Sequence, residues 1–228
     1  MEAVILAGGL GTRLQSTLPD IPKPMAPVGG KPFLWYLFKW IARYPISRIV
    51  LSTGYKSEEI SEYFGDSFES MSLEYAIEEK PLGTGGGLMN ATRRLTGSDF
   101  IVINGDTYFP IDLKRLFLYH TGHCGFITIA LKRMTNFSRY GSVECKGDLI
   151  VRFNEKKPCA DGLINGGIYA ISRKLLMEKE FPEVFSLEED LLGKSAGNGT
   201  LRCMTFEEPF LDIGIPEDYG RASELLKA

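Results

Sequence analysis

Apolar and polar positions follow two different periods along this chain. Short apolar runs, which are typical of buried strands, alternate with stretches that have the spacing or the start signals of helices. The apolar runs predict strands at residues 3–7, 48–52, 73–77, 100–106 and 125–132. The other stretches predict helices at residues 32–44, 58–64, 88–95, 112–120 and 217–226. Strands that alternate with helices indicate an α/β fold with a parallel sheet and right-handed crossovers.

The pattern changes character after residue 140. Residues 140–144 and 149–154 are short strand-like segments with no helix between them, which predicts a small antiparallel portion. A chain of 228 residues suits one large domain, and no linker or low-complexity segment divides it. We therefore expect a single domain over residues 1–228, with a boundary between its two halves near residue 120.

Composition and charge exclude several kinds of partner. The net charge is −3, whereas proteins that bind nucleic acid or anionic membranes usually present a basic face. The four cysteines are widely spaced without a C-x-x-C pair, so we expect reduced thiols. His120 and His123 flank a helix end without a third ligand, which favours helix termination over metal binding. Without a leader or a membrane-length apolar run, we expect a cytoplasmic protein.

The candidate chemistry begins directly after the first strand. Gly8, Gly9 and Gly11 fall within four residues, and the cations Arg13 and Lys23 follow, Lys23 between two prolines. Glycines let backbone N–H groups approach a ligand and form a concavity that binds anions. A glycine-rich strand-to-helix turn is the structural alternative, but the added cations favour a phosphorylated ligand.

Two common phosphate-binding motifs do not fit this chain. The dinucleotide fingerprint starting at Gly9 has Leu14 where its third glycine should lie. The Gly-Lys-Ser at residues 193–195 has Glu188 where the Walker motif needs its first glycine, so it predicts the polar end of a helix.

The segment GGLGTRL (residues 8–14) followed by PKP (residues 22–24) resembles the signature of the sugar-1-phosphate nucleotidyltransferases. These enzymes join a nucleoside triphosphate to a sugar phosphate and release pyrophosphate. Gln15 replaces a proline that many members carry, which implies a different loop path without loss of chemistry. The resemblance implies a Rossmann-like mixed, mostly parallel sheet flanked by helices, with the antiparallel portion binding the acceptor. It further implies that the nucleotide is bound by Leu6, Ala7, Gly8, Gly9, Gly11, Thr12, Arg13, Lys23 and Gly105.

A second glycine-rich segment, residues 78–87, resembles the base-and-ribose pocket of the same family, although a simple connector is the alternative. By that resemblance Pro81, Gly83 and Thr84 contact the nucleotide, and Glu78 faces the base. An ionised carboxylate only accepts hydrogen bonds, so it suits the N1–H and exocyclic amine of guanine. Glu78 thus favours GTP, unless it is a solvated loop carboxylate.

Two aspartates are the candidate metal ligands. Asp106 follows Gly105 at the carboxyl end of a strand, where Mg²⁺ could join a carboxylate to substrate phosphates. DIGIPEDY (residues 212–219) resembles the family's DIGTPEDY with Ile215 for threonine, and implies Asp212 as the second ligand. Either aspartate could instead be a simple turn or helix cap.

Three further segments resemble the acceptor region of the family, at residues 140–141, 153–156 and 165–169. The resemblance implies that Glu155 and the Gly141 backbone, next to Tyr140, hold sugar hydroxyls. It also implies that Lys156 holds the sugar phosphate and that Asn165 contacts ring hydroxyls. Residues 1–120 would then be the nucleotide half and residues 121–228 the sugar-phosphate half.

The expected reaction is attack of a sugar 1-phosphate on the α-phosphate of GTP, with Arg13, Lys23 and Asp106 as catalytic residues and Mg²⁺ as cofactor. The short chain and the run LPDIPKPMAPVGGKPF look most like D-glycero-D-manno-heptose 1-phosphate guanylyltransferases, which feed surface polysaccharide or S-layer glycans. The alternatives are a mannose-1-phosphate guanylyltransferase, a small uridylyltransferase and a catalytically silent regulatory homologue. The aromatic helix that carries Trp35 and Trp40 is compatible with a homodimer.

Overall fold

The computed structural model describes residues 1–9, 20–123 and 126–226, and in this part of the chain one large mixed sheet is flanked by helices. The strands are β1 (Glu2–Leu6), β2 (Pro27–Val28), β3 (Lys31–Pro32), β4 (Arg48–Thr53), β5 (Ser67–Phe68), β6 (Met71–Ile77), β7 (Asp99–Asn104), β8 (Thr107–Tyr108), β9 (Ile127–Phe137), β10 (Gly141–Lys146), β11 (Leu149–Lys156), β12 (Cys159–Ser172), β13 (Leu201–Phe206) and β14 (Leu211–Asp212). The α-helices are α1 (Phe33–Ile41), α2 (Ser57–Phe64), α3 (Gly83–Thr92), α4 (Leu113–Gly122), α5 (Arg173–Glu178) and α6 (Pro216–Leu225). A 3₁₀ helix covers Lys23–Met25, and a π-helical turn covers Leu187–Gly193.

The large sheet has the strand order β10-β11-β13-β9-β12-β7-β1-β4-β6-β5. Its centre, β7-β1-β4-β6, is parallel, and β12 joins β7 in the antiparallel sense. The α/β prediction with a parallel sheet and an antiparallel portion is therefore confirmed. The parallel strands all end at one edge, and ligands of such sheets bind beyond that edge.

The middle positions of β1, β4 and β7 are apolar on both faces because both faces of the sheet are covered. On β1, Ile5 packs into one buried cluster with Phe38 and Trp40 of α1, whereas its neighbour Val4 packs into another with Leu88 of α3. Each of these large side chains contributes about 1.5–3 kcal/mol by full burial. Phe38 and Trp40 of α1 are thus core residues, whereas Trp35 is half-buried at the edge of the same cluster.

Most predicted helices are confirmed, and their ends have physical causes. Gly65 ends α2 with a φ of 65°, a conformation that glycine adopts without steric cost. Asp112 caps α4, its carboxylate accepting a hydrogen bond from the Arg115 amide at 2.9 Å. Pro216 opens α6. Residues 193–195, predicted as the polar end of a helix, lie at the end of the π-helical turn Leu187–Gly193.

The prediction for α3 was wrong in its position. The expected helix spans residues 88–95, whereas α3 begins at Gly83 and takes in the second half of the second glycine-rich segment. Glycine is a poor helix former, but a Cβ built on Gly85 would lie closer than 3.0 Å to the Phe185 ring. The glycines therefore serve close packing between α3 and the 183–185 segment, which local propensity does not reveal.

The cysteines and His123 have the following places in the structure. Cys145, Cys159 and Cys203 are free thiols, and Cys124 lies outside the described residues. His123 terminates α4, as expected, and the described residues contain no group of three or more metal-binding side chains. Within the same ranges, no helix is long and apolar enough to cross a membrane.

Candidate active site

A cavity of about 290 Å³ opens at the carboxyl edge of the central strands. It contains every residue predicted for the nucleotide that the structure describes. Those residues are Leu6, Ala7, Gly8, Gly9, Lys23, Glu78, Pro81, Gly83, Thr84 and Gly105, and the predicted metal ligand Asp106 lines the same cavity. The predicted contacts of Gly11, Thr12 and Arg13 lie outside the described residues.

Glu78 is fixed inside this cavity by two hydrogen bonds. Its Oε1 accepts from the Ser52 hydroxyl at 2.8 Å and its Oε2 from the Leu82 amide at 3.1 Å. A Cβ on Gly8 would come within 2.5 Å of Oε1, and one on Gly87 within 2.6 Å, so both glycines make room for the carboxylate. Glu78 is accordingly a half-buried, oriented acceptor and not a solvated loop carboxylate.

The hydroxyl of Thr84, which was predicted to contact the nucleotide, is bonded to protein groups instead. Its Oγ1 donates to Glu188 Oε2 at 2.6 Å and accepts from the Leu187 amide at 2.9 Å. A hydroxyl has one proton to donate. Because that proton is committed to Glu188, the backbone at the start of α3 is what Thr84 offers to the cavity.

A second cavity, of about 660 Å³, lies beside the first and contains all of the predicted acceptor residues, namely Tyr140, Gly141, Glu155, Lys156 and Asn165. Asn104 and Asp106 line both cavities, so the two spaces meet at the end of β7. Gly141 pairs opposite Lys156, and a Cβ on Gly141 would collide with the Asn154 carbonyl. This close approach of β10 to β11 places the exposed Glu155 and Lys156 beside the cavity.

Asn165 is held in the second cavity by two of its own neighbours. Its Oδ1 accepts from the Gly167 amide at 3.0 Å, and its Nδ2 donates to the Tyr169 hydroxyl at 3.0 Å. Tyr169 is completely buried, and its burial raises the pKa of its hydroxyl, with the charge of Glu188 adding to the effect.

The structure brings the two predicted metal ligands together through a short antiparallel ribbon. Strand β8 follows Asp106 and pairs with β14, so that Thr107 lies opposite Asp212. The Ile213 amide donates to the Asp106 carbonyl at 3.0 Å and closes the ribbon. Asp212 accepts at Oδ1 from the Gly214 amide at 2.7 Å and at Oδ2 from the Tyr140 hydroxyl at 3.3 Å.

The electrostatics of this pair favour a cation. Burial raises the pKa of Asp212, and the negative charge of Asp106 raises it further. The same burial and the Asp212 charge raise the pKa of Tyr140 to about 12. Lys23 already supplies one positive charge, its Nζ lying 2.8 Å from Asp106 Oδ2. Two interacting carboxylates beside two cavities are a donor set that fits a divalent cation with oxygen ligands from a substrate.

Sequence reasoning missed several residues that line the two cavities. Asn104, at the shared wall, has a buried Oδ1 without a hydrogen-bond partner among the described residues. Ser52 precedes the end of β4 and orients Glu78, and Arg139 pairs with the buried Asp218 beside Tyr140. Glu188 was noted only as a mismatch to the Walker motif. A signal for Asn104 and Ser52 was their place at the carboxyl ends of strands, whereas Arg139 and Glu188 depend on tertiary packing.

Comparison with known proteins places the chain in a family. The model of the family described as nucleotidyl transferase matches residues 2–228. A D-glycero-alpha-D-manno-heptose 1-phosphate guanylyltransferase from Aneurinibacillus thermoaerophilus is 42% identical over 227 residues, covering 100% of this chain and 99% of the relative. One from Campylobacter jejuni is 44% identical over 220 residues, covering 96% and 97%.

A solved structure extends this similarity to the fold. The crystal structure of HddC from Yersinia pseudotuberculosis complexed with GMP-PN has a TM-score of 0.87 and 38% identity, and covers 99% of both chains. The resemblance to nucleotidyltransferases seen in the glycine-rich segments is thereby confirmed. The chain belongs to the nucleotidyl transferase family.

Proposed function

We propose that this protein transfers GMP from GTP to D-glycero-α-D-manno-heptose 1-phosphate, giving GDP-heptose and pyrophosphate. The observation that carries the proposal is the meeting of two cavities at Asp106, one with the nucleotide residues and one with the acceptor residues. The names of the relatives that are 42% and 44% identical support the choice of sugar. The GMP-PN complex of the similar structure supports a guanine nucleotide.

The reaction needs no general base. An oxygen of the acceptor phosphate is already anionic and forms a bond to the α-phosphorus of GTP. The bond from the α-phosphorus to the oxygen that bridges to the β-phosphate breaks, and pyrophosphate leaves with that electron pair. Catalysis then consists of positioning two anions and neutralising their charge.

The cations of the site divide this work. Lys156, at the end of β11, attracts the acceptor phosphate, and Lys23 and Arg13 balance the charge of the triphosphate. Asp106 and Asp212 would hold Mg²⁺, which when bound supplies further charge neutralisation at the α-phosphate. Among the described residues the Lys23 ammonium hydrogen-bonds to Asp106 alone, so it has N–H donors left for the triphosphate.

Glu78 gives the site its preference for guanine. Its two oxygens are fixed by Ser52 and Leu82 and retain lone pairs for the N1–H and exocyclic amine of the base. Adenine lacks this pair of donors, and uracil presents carbonyl oxygens that repel a carboxylate. The Gly8 and Gly87 positions allow the base to approach because no side chain stands between it and Glu78.

The acceptor sugar lies between Glu155, Asn165 and the backbone of Gly141, with Tyr140 at the metal side.

We propose one domain over residues 1–228, with nucleotide and sugar-phosphate halves that meet near residue 120, since strands of both halves join one sheet. A homodimer is also proposed; Trp40 is buried and unavailable to it, whereas Trp35 is half-buried beneath Lys31 and Lys39.

Pyrophosphate release from GTP, Mg²⁺ and a sugar 1-phosphate tests the proposal. A nucleotide-sugar sensor without catalysis would bind GDP-sugars and release no pyrophosphate. The combination of Lys23, Asp106 and Asp212 in one place favours catalysis, because a sensor has no need of a full phosphate-and-metal set.

A further inference from the structure

The π-helical turn Leu187–Gly193 presents a carboxylate to the acceptor cavity. Glu188 lines that cavity together with Asn165 and Tyr169. The turn is capped by Ser186, whose hydroxyl accepts from the Glu189 amide at 3.1 Å. The predicted site residues include no member of this turn, so its role in the reaction is unassigned.

Glu188 is tied to the nucleotide cavity by Thr84. Its Oε2 accepts from Thr84 Oγ1 at 2.6 Å and from Ser186 Oγ at 3.2 Å. No described residue donates a hydrogen bond to its Oε1. One oxygen is therefore an anchor, and the other retains lone pairs for a ligand of the acceptor cavity that Glu188 lines.

The hydrogen bond between Thr84 and Glu188 lies where α3 packs closely against residues 183–187. The Gly85 amide donates to the Phe185 carbonyl at 3.0 Å, and the Phe185 amide donates to the Leu82 carbonyl at 3.1 Å. A Cβ on Gly86 would lie 2.5 Å from the Glu183 carbonyl oxygen. Backbone hydrogen bonds and close contacts thus hold the start of α3 against the segment before the π-helical turn.

The carboxylate of Glu188 and the predicted sugar ligand Asn165 line the same cavity. The Glu188 charge adds to the effect of burial in raising the pKa of Tyr169, whose hydroxyl accepts from Asn165 Nδ2. Lys156 attracts the phosphate end of the acceptor, and a carboxylate would repel that end. Glu188 consequently suits the uncharged, hydroxyl-bearing part of the molecule.

We infer that Glu188 accepts hydrogen bonds from hydroxyls of the acceptor sugar and that Thr84 positions it, so that the nucleotide and acceptor cavities are coupled through this pair. The inference rests on the proposed function, because it assumes a sugar phosphate in the second cavity. Glu188 is then a specificity-determining residue that contacts substrate, and Thr84 acts through it.

Steady-state kinetics of pyrophosphate release test this assignment. Glu188→Gln should raise the KM for heptose 1-phosphate about tenfold, with the KM for GTP changed by less than about twofold. Thr84→Val should change the acceptor KM in the same direction, whereas Thr84→Ser, which keeps the hydroxyl, should behave like wild type. Glu183→Gln is the matched control, because this exposed glutamate lies in the same segment and pairs only with Lys80 among the described residues.

The double variant that combines Thr84→Val with Glu188→Gln distinguishes a positioning role of Thr84 from a general loss of stability. If Thr84 acts through Glu188, Thr84→Val should add little to the acceptor KM of Glu188→Gln. Full additivity, an unchanged acceptor KM in Glu188→Gln, or an equal rise in the GTP KM would overturn the inference. Glu188→Asp, which keeps the charge but shortens the reach, should also raise the acceptor KM and replaces any variant that fails to fold.

Different results overturn the proposed function and the inference about Glu188. Wild-type protein that releases no pyrophosphate with any sugar 1-phosphate overturns the proposed function and this inference together. Wild-type turnover of heptose 1-phosphate with an unaltered acceptor KM in Glu188→Gln overturns the inference alone.

Discussion

The ammonium of Lys23 lies 2.8 Å from the carboxylate of Asp106, and this ion pair joins the proline-flanked N-terminal segment to the end of β7. The Lys23 side chain is only 13% exposed, so its charge depends on a partner within the site. Mg²⁺ on Asp106 and a triphosphate on Lys23 would each replace one half of the pair. The group proposed to bind the triphosphate and the group proposed to bind the metal thus lie within hydrogen-bond distance of each other before ligands bind.

Loss of either proposed metal ligand should abolish most of the activity and leave the fold intact. Asp106→Asn and Asp212→Asn should each lower kcat by about 100-fold or more, since charge neutralisation carries the reaction. Asp212→Asn keeps an oxygen that can accept from the Gly214 amide, and the Ile213 amide bonds to the main-chain carbonyl of Asp106, which Asp106→Asn leaves in place, so both melting curves should stay cooperative. Near wild-type turnover at saturating Mg²⁺ would remove the altered residue from the metal site.

Replacement of Glu78 by glutamine should weaken the choice of guanine. An amide offers one acceptor and one donor where the base presents two donors, an imbalance worth about 1–3 kcal/mol. The ratio of kcat/KM for GTP to that for ATP should fall accordingly. Ser52→Ala is the control: it removes one orienting hydrogen bond and should lower the ratio less. An unchanged ratio in Glu78→Gln would refute base recognition by this residue.

Two glycine-to-alanine changes should have opposite effects on stability. Gly85→Ala places a Cβ closer than 3.0 Å to the Phe185 ring and should destabilise the protein by about 1–3 kcal/mol. Gly220→Ala, on the exposed face of α6 with no atom within 4 Å of the new Cβ, should stabilise it by about 0.5–1 kcal/mol. Chemical denaturation measures both. Equal effects of the two substitutions would contradict the packing role of Gly85.

Buried His120 should make stability depend on pH below neutrality. Burial lowers the pKa of His120 from its ordinary 6.5, although the nearby Asp99 opposes the shift. The unfolded chain therefore binds a proton more readily than the folded protein. The contribution of neutral, buried His120 to stability is present above pH 6.5 and is lost as the pH falls through the lowered pKa of His120 in the folded protein. The unfolding free energy of His120→Gln should fall less between pH 7.5 and about pH 5.5 than that of wild type; parallel curves would contradict this.

Much of the site could be predicted from sequence because strand ends and glycines carry local signals. Gly8, Gly105 and Asp106 follow apolar runs, and parallel strands bring such positions to one edge of the sheet. The acceptor residues depended on resemblance, since each is uninformative alone. The structure nevertheless brings Gly141, Lys156 and Asn165 around one cavity.

The missed features depend on contacts between distant segments. The glycines of α3 indicated a loop because glycine disfavours helix, and only the packing of Phe185 against Gly85 explains their place in one. Glu188 belongs to no motif, and its link to Thr84 spans 104 residues. The prediction that Arg13 faces the triphosphate stays a prediction, because it falls on residues that the structure does not describe.

The most direct test of the central claim is the release of pyrophosphate from GTP and Mg²⁺ with D-glycero-α-D-manno-heptose 1-phosphate, compared with mannose 1-phosphate and with ATP as the alternative nucleotide. The account predicts rapid release and a GDP-heptose product with the heptose substrate, slower release with mannose 1-phosphate, and little with ATP. No release with GTP and heptose 1-phosphate, or a higher kcat/KM with mannose 1-phosphate, would contradict it.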